Sequence, residues 1–208
     1  MALVLSAMIE GGILMSKKGC FHSAVPAIVA MSLFSSLSIA APPTTSPAAT
    51  SPQESFASIK EVPSFAYCCI VHKGPISDIT SVIGQLIQAM QEQNIFSAIR
   101  GPMVAVYHNA QTPVDSPDLS WEVGFIVTEQ TMPQAPLVKK VWSHNTVAAA
   151  THVGPYQQIG ETLEKLMAWL GAQGYAADNP LMERYLNSPM QVKPQELRTE
   201  IWIPVVKK

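Results

Sequence analysis

Three glutamates and three aromatic residues have types suited to holding or transforming a small molecule: Glu122, Glu183 and Glu200, with Tyr107, Tyr185 and Trp202. A carboxylate held among apolar groups is costly to keep charged unless something pairs with it. A bound organic cation would pair with it, and the faces of Tyr and Trp add cation–π attraction of about 2 kcal/mol per ring where water is partly excluded. The same carboxylates could act as a general base on water, with a tyrosine as proton donor or oxyanion partner. Plainer roles stay open for each. Glu183 can face water and pair with Arg184 or Lys193, the two tyrosines can simply pack a sheet, and Glu122 and Glu200 can fix loops by accepting backbone N–H groups. Trp142 and Tyr156 suit either a cleft rim or ordinary half-buried packing.

Other chemistry is poorly served. There is no Gly-x-Ser-x-Gly elbow and no metal-ligand spacing, so the sequence points to no catalytic set, no metal and no cofactor. Cys68 and Cys69 are neighbours in an apparent strand, where successive side chains point to opposite faces, and they read as small hydrophobes. His72 and His152 each open a His-x-Gly-Pro sequence, and each reads as a strand-end side chain with a local hydrogen bond.

These residues sit in a unit written twice. His-Lys-Gly-Pro at 72–75 and His-Val-Gly-Pro at 152–155 each close an apolar run and open a helical one. Gly tolerates positive φ and Pro suits a helix entrance, so each is an elbow from strand to helix, with Ser77 a candidate N-cap. Ile79, Val82, Ile83, Leu86, Ile87 and Met90 recur at helical spacing, as do Ile159, Leu163, Leu166, Met167 and Leu170. Gly101–Asn109 then aligns with Asn179–Asn187 at an offset of 78, and Trp121-Glu122-Val123 aligns with Thr199-Glu200-Ile201 at the same offset. The expected fold is α+β: two β-α-β-β units related by a pseudo-twofold axis, antiparallel sheets with one long helix per unit, and a concave cleft between the halves. Strand alternation turns Trp121, Val123, Ile201 and Ile203 towards the helices. It leaves Glu122, Glu200 and Trp202 on the far side, and the repeat places Tyr107, Glu183 and Tyr185 with them as the cleft lining.

With 208 residues and 48% apolar content the chain can bury a sizeable core. A formal charge of −2, without a basic stripe, excludes nucleic acid as an expected partner. Lys17 and Lys18 precede an uncharged run from Ala24 to Ala41, and Ser38-Ile39-Ala40 suits a signal peptidase, so residues 1–40 read as an export signal, with Met15 an alternative start. Any membrane contact is expected only through that segment, and the destination is the periplasm or envelope. Residues 41–64, with prolines at 42, 43, 47 and 52, read as a disordered linker, and 65–208 as the folded domain, with repeats at about 65–129 and 138–205.

The ordered set G-P-Y-Q-Q-I-G-E-T-L-E-K-L at 154–166, E-R-Y-L at 183–186 followed by N-S-P, and T-E-I-W-I-P-V at 199–205 resembles the GyrI-like small-molecule-binding domain. The same module forms the effector-binding domain of AraC-type and MerR-type regulators. The resemblance covers Phe65 to Val205 and implies a cleft for amphipathic, often cationic, organic molecules. It further implies a buried acid among aromatics, a place that Glu183 fills best. No helix-turn-helix region precedes the domain, so the regulator role does not carry over. Hydrolases of reactive ring compounds and a gyrase-inhibiting interaction module also occur in the family, which keeps both as alternatives. A heme-binding relative of similar fold is known, but no histidine or cysteine here is placed as an axial ligand.

Overall fold

The computed structural model of this chain describes residues 56–208. The expected signal at 1–40 and the linker as far as residue 55 lie outside them. The remainder of the linker is corrected: Ala57–Glu61 is a strand, β1, paired antiparallel with a later strand from Ala57↔Ala150 to Glu61↔Thr146. Five residues of mixed polarity carry too weak a signal to stand out beside a Pro- and Ser-rich leader. Their hydrogen bonds come from a partner ninety residues away.

The two β-α-β-β units are present. The first runs β2 (Phe65–Lys73), α1 (Ile79–Glu92), β3 (Ile99–Tyr107), β4 (Ser120–Val127). The second follows a strand β5 (Val138–Trp142) and runs β6 (Thr146–Val153), α2 (Ile159–Ala172), a short β7 (Tyr175–Ala177), β8 (Leu181–Tyr185) and β9 (Arg198–Lys207). All pairings are antiparallel, in the order β1-β6-β9-β8-β3-β4-β2-β5, with β7 beside β9. This order is symmetric about the β8–β3 pair. Each half also lends its leading strand to the other: β1 extends the second half and β5 the first.

The pseudo-twofold axis can be placed from the register. Ala105 lies directly opposite Glu183, and these two positions are related by the repeat offset of 78, so the axis passes between them. Helix α1 packs over β2 and β4, and α2 over β6 and β7, which leaves β3 and β8 running between the helices. Ile79, Val82, Ile83, Leu86, Met90, Ile159, Leu166 and Leu170 are buried as their spacing requires. Met167 is instead 44% exposed, because the stripe of α2 is narrower than the sequence suggests.

The other face of the sheet has its own core, with Tyr67, Cys69, Val104, Val106, Trp142, Met182 and Trp202. Trp142 on β5 and Trp202 on β9 have ring centroids 6.4 Å apart. Five strand spacings separate them along the sheet, about 24 Å if it were flat. The sheet is therefore rolled, with this second core inside the roll and the helices outside. Neighbouring backbone lies close at Gly124, where a Cβ would stand 2.1 Å from the Cys68 carbonyl oxygen and 2.7 Å from Cys69 Cα. We expect Gly124→Ala to lower stability by about 3 kcal/mol, since backbone must move to admit the methyl group. Thermal unfolding of the variant checks this, and an unchanged midpoint contradicts it.

The His-x-Gly-Pro elbows behave as expected. Gly74 and Gly154 have φ of +152° and +134°. His72 Nε2 lies 2.9 Å from Asp78 Oδ2. His152 Nε2 donates to the Pro155 carbonyl at 3.1 Å, leaving Nδ1 to accept from the Thr162 hydroxyl at 2.8 Å. Ser77 does not cap α1; the capping position is Asp78, without a side-chain bond. The cysteines point to opposite cores, both buried and free.

Candidate functional site

The six candidate residues do not share a face. Tyr107 pairs across the sheet with Trp121 and Glu183 with Ile201, so Tyr107, Glu183 and Tyr185 lie on the helix side. Glu122 lies opposite Val106, and Trp202 opposite Met182, inside the roll. Glu200 shares that inner side, opposite Arg184. The correction has a simple cause: alternation tells which residues of one strand agree, while the register between strands tells which side they agree on. On the helix side, β3 and β8 run side by side between α1 and α2.

Glu122 and Glu200 are committed to ion pairs that follow the pseudo-symmetry. The Lys140 ammonium contacts Glu122, and the Lys60 ammonium contacts Glu200 at 2.7 Å. Lys60 and Lys140 stand on β1 and β5, the strands exchanged between halves, so each half neutralises the buried acid of the other. Tyr67 also donates to Glu122 at 2.5 Å, and His108 Nε2 stands 3.4 Å from it without the geometry of a hydrogen bond. Arg184 donates to Glu200 while its guanidinium lies over the Trp202 ring, 4.1 Å from the centroid. Burial alone would raise both carboxyl pKa values. The cations and hydrogen bonds around them outweigh it, and both are held below the ordinary value. Neither the loop-fixing role nor the cleft lining expected for these two glutamates matches this placement. The lysines were missed by sequence reading, although both precede a His-x-Gly-Pro histidine by 12 residues, which the repeat makes visible.

Glu183 differs in every respect. It is fully buried on the pseudo-axis, where its counterpart is Ala105, so the repeat supplies no second carboxylate at this place. Its Oε2 accepts from the Tyr185 hydroxyl at 2.7 Å and, more weakly, from that of Tyr107 at 3.4 Å; these two tyrosines are themselves related by the repeat. Neither Arg184 nor Lys193 pairs with it, and no cation reaches it among the described residues. Oε1 has no hydrogen-bond partner there either. Burial pushes the carboxyl pKa up to about 7, against the pull of the two tyrosines. Burial together with this carboxylate raises both tyrosines well above their ordinary value.

Tyr156 completes the group. Its ring meets the ring of Tyr185 edge-on at 5.6 Å, and it is buried rather than half-buried at a rim. Trp142 packs inside the roll, remote in kind from the cleft. Tyr156 and Tyr185, with Met103, Phe125 and Asn187, line a cavity of about 520 Å³. A smaller one of about 260 Å³, lined by Leu163, Met167, Leu181 and Ile203, occupies the related position across the axis. Mostly apolar walls with two tyrosines are the composition of a small-molecule site, and Glu183 stands behind Tyr185, hydrogen-bonded to its hydroxyl.

Residues 56–206 match the family described as the GyrI-like small molecule binding domain. The chain belongs to this family. Among solved structures the GyrI-like fold here is similar to the C-terminal domain of EcmrR, with a TM-score of 0.65 and 21% identity over 73% of this chain and 98% of that one. A hydrolase from Listeria innocua is similar with a TM-score of 0.57 and 13% identity, over 72% of this chain and 91% of that one. SAV2435, bound to tetraphenylphosphonium, is similar with a TM-score of 0.50 and 11% identity, over 72% and 93%. At these identities the likeness concerns the fold. Comparison with curated proteins found no match. Small-molecule binding is thus the property that family membership assigns to this GyrI-like domain.

Proposed function

We propose that this chain is an exported binding protein that captures amphipathic organic cations in the cleft between its helices, with Glu183 as the counter-charge. One contrast carries the reading. Of three buried glutamates in the sheet, Glu122 and Glu200 each hold a lysine, whereas Glu183 holds no cation among the described residues. A buried carboxylate without a partner is costly, and a ligand that brings the positive charge removes the cost. Tyr107 and Tyr185 meet it with their hydroxyls, Tyr156 packs edge-on against Tyr185, and the neighbouring cavity takes an apolar body. SAV2435 with its bound phosphonium supports the choice of ligand class. Export rests on the sequence of residues 1–40. Fluorescence titration with tetraphenylphosphonium should show saturable binding that Glu183→Gln weakens and the surface substitution Glu164→Gln leaves intact. If both variants bind like the parent, the site is wrongly assigned. Cell fractionation and the mass of the N-terminus test export.

A second reading uses the same carboxyl. With a pKa of about 7 beside a tyrosine hydroxyl, Glu183 is half ionised near neutral pH and suited to take a proton from water attacking a reactive ligand. The similar hydrolase fold keeps this reading in view. Turnover of an epoxide that disappears in Glu183→Gln while binding persists would favour it over simple capture.

A further inference from the structure

Two polar atoms at the cleft are buried without a hydrogen-bond partner among the described residues: Glu183 Oε1 and the Tyr156 hydroxyl. Glu183 is 0% exposed and Tyr156 3%. Buried polar groups nearly always have partners, so two orphans on either side of Tyr185, one of them on a residue lining the cavity, are places for a ligand to fill. They belong to one cluster. Tyr185 bonds the other oxygen of Glu183 at 2.7 Å and meets the Tyr156 ring edge-on, and the Glu183 charge adds to burial in raising the Tyr156 phenol to about 12.

From this geometry we infer that the cationic group of the ligand is a protonated amine with at least two N–H bonds, one donated to Glu183 Oε1 and one to the Tyr156 hydroxyl oxygen. The inference rests on the reading of Glu183 as the ligand's counter-charge, and it narrows that reading from cations in general to one kind. A quaternary ammonium or phosphonium neutralises the carboxylate but donates nothing, so it leaves both atoms unpaired in a site emptied of water. A primary ammonium neutralises the charge and satisfies both. Tyr185 and Tyr107 occupy Oε2, which fixes Oε1 as the oxygen left for the ligand. The approach is one-sided as well. Tyr156 follows Gly154-Pro155 as Ile76 follows Gly74-Pro75, so only the second repeat offers a hydroxyl at that place.

The test is a matched series on the full-length protein at pH 8: 4-(aminomethyl)biphenyl, its N,N-dimethyl derivative and its N,N,N-trimethyl salt, titrated by calorimetry. Each added methyl increases apolar area and removes an N–H, so hydrophobicity and hydrogen bonding predict opposite orders. The expected order is primary, then tertiary, then quaternary, with the primary amine roughly tenfold or more tighter than the quaternary salt. Tyr156→Phe should narrow the gap between primary and tertiary amines. Equal binding across the series, or tighter quaternary binding, overturns the inference. If that happens while Glu183→Gln still weakens every member, the cation-binding reading stands and the amine inference alone has failed. If Glu183→Gln changes none of them, both fail.

Discussion

A lipophilic cation should bind about thirtyfold more tightly at pH 8 than at pH 5.5, and Glu183→Gln should flatten that dependence while lowering the affinity at pH 8. The carboxyl has a pKa of about 7 in the free protein, so only a few per cent is ionised at pH 5.5 and about nine-tenths at pH 8. Affinity falls with the fraction of the competent form. The sign for stability is opposite. The folded-state pKa lies above the ordinary value of 4.5, so the folded protein keeps a proton that the unfolded chain releases. The contribution of Glu183 is therefore greatest below pH 4.5, declines as pH rises towards 7 and is about 3 kcal/mol lower above that. Glu183→Gln should accordingly raise the unfolding midpoint of the ligand-free protein at pH 8 and leave it little changed at pH 4.5. Weaker binding in a more stable protein is a result that mere structural damage does not produce. A parent affinity independent of pH would rule out the carboxylate as counter-charge.

The second large effect concerns the exchanged strands. Lys140→Met should destabilise the protein by about 3 kcal/mol at pH 7, because Glu122 is fully buried and loses the one lysine that reaches it among the described residues. Lys60→Met should cost under about 1 kcal/mol. Its side chain is 46% exposed, and Glu200 retains Arg184. The double variant Glu122→Gln/Lys140→Met should recover much of the loss, as removing both charges leaves no buried ion behind. Urea unfolding of the three variants decides the matter. If Lys140→Met unfolds like the parent, the lysine beside Glu122 is surface decoration. Acid has the same sense: both glutamates have lowered pKa values, so what their pairs contribute is present above pH 4.5 and lost as pH falls below it.

Much of this architecture is legible along the chain because the repeat doubles each signal. Gly-Pro elbows, helical stripes and the offset of 78 are local or periodic patterns, and a pattern seen twice separates from noise. The exchange of β1 and β5 was not legible. A five-residue strand such as Ala57–Glu61 is specified by the neighbour that accepts its hydrogen bonds, and nothing local names that neighbour.

For the candidate site the division is sharper. Residue types, the repeat and the family resemblance put Glu183, Tyr107 and Tyr185 in one group with Glu122, Glu200 and Trp202; only the first three stay together under the helices, and the other three share the inner side. The side of the sheet for each group was a binary choice that alternation within a strand leaves free. Tertiary structure made that choice through register: Tyr107 opposite Trp121 and Glu183 opposite Ile201 turn one group under the helices, while Val106 opposite Glu122 turns the other into the roll. A shift by one residue would have exchanged the two. Electrostatics followed from the side chosen, since inside the roll the exchanged strands supply lysines, and beneath the helices the carboxylate of Glu183 has no cation among the described residues.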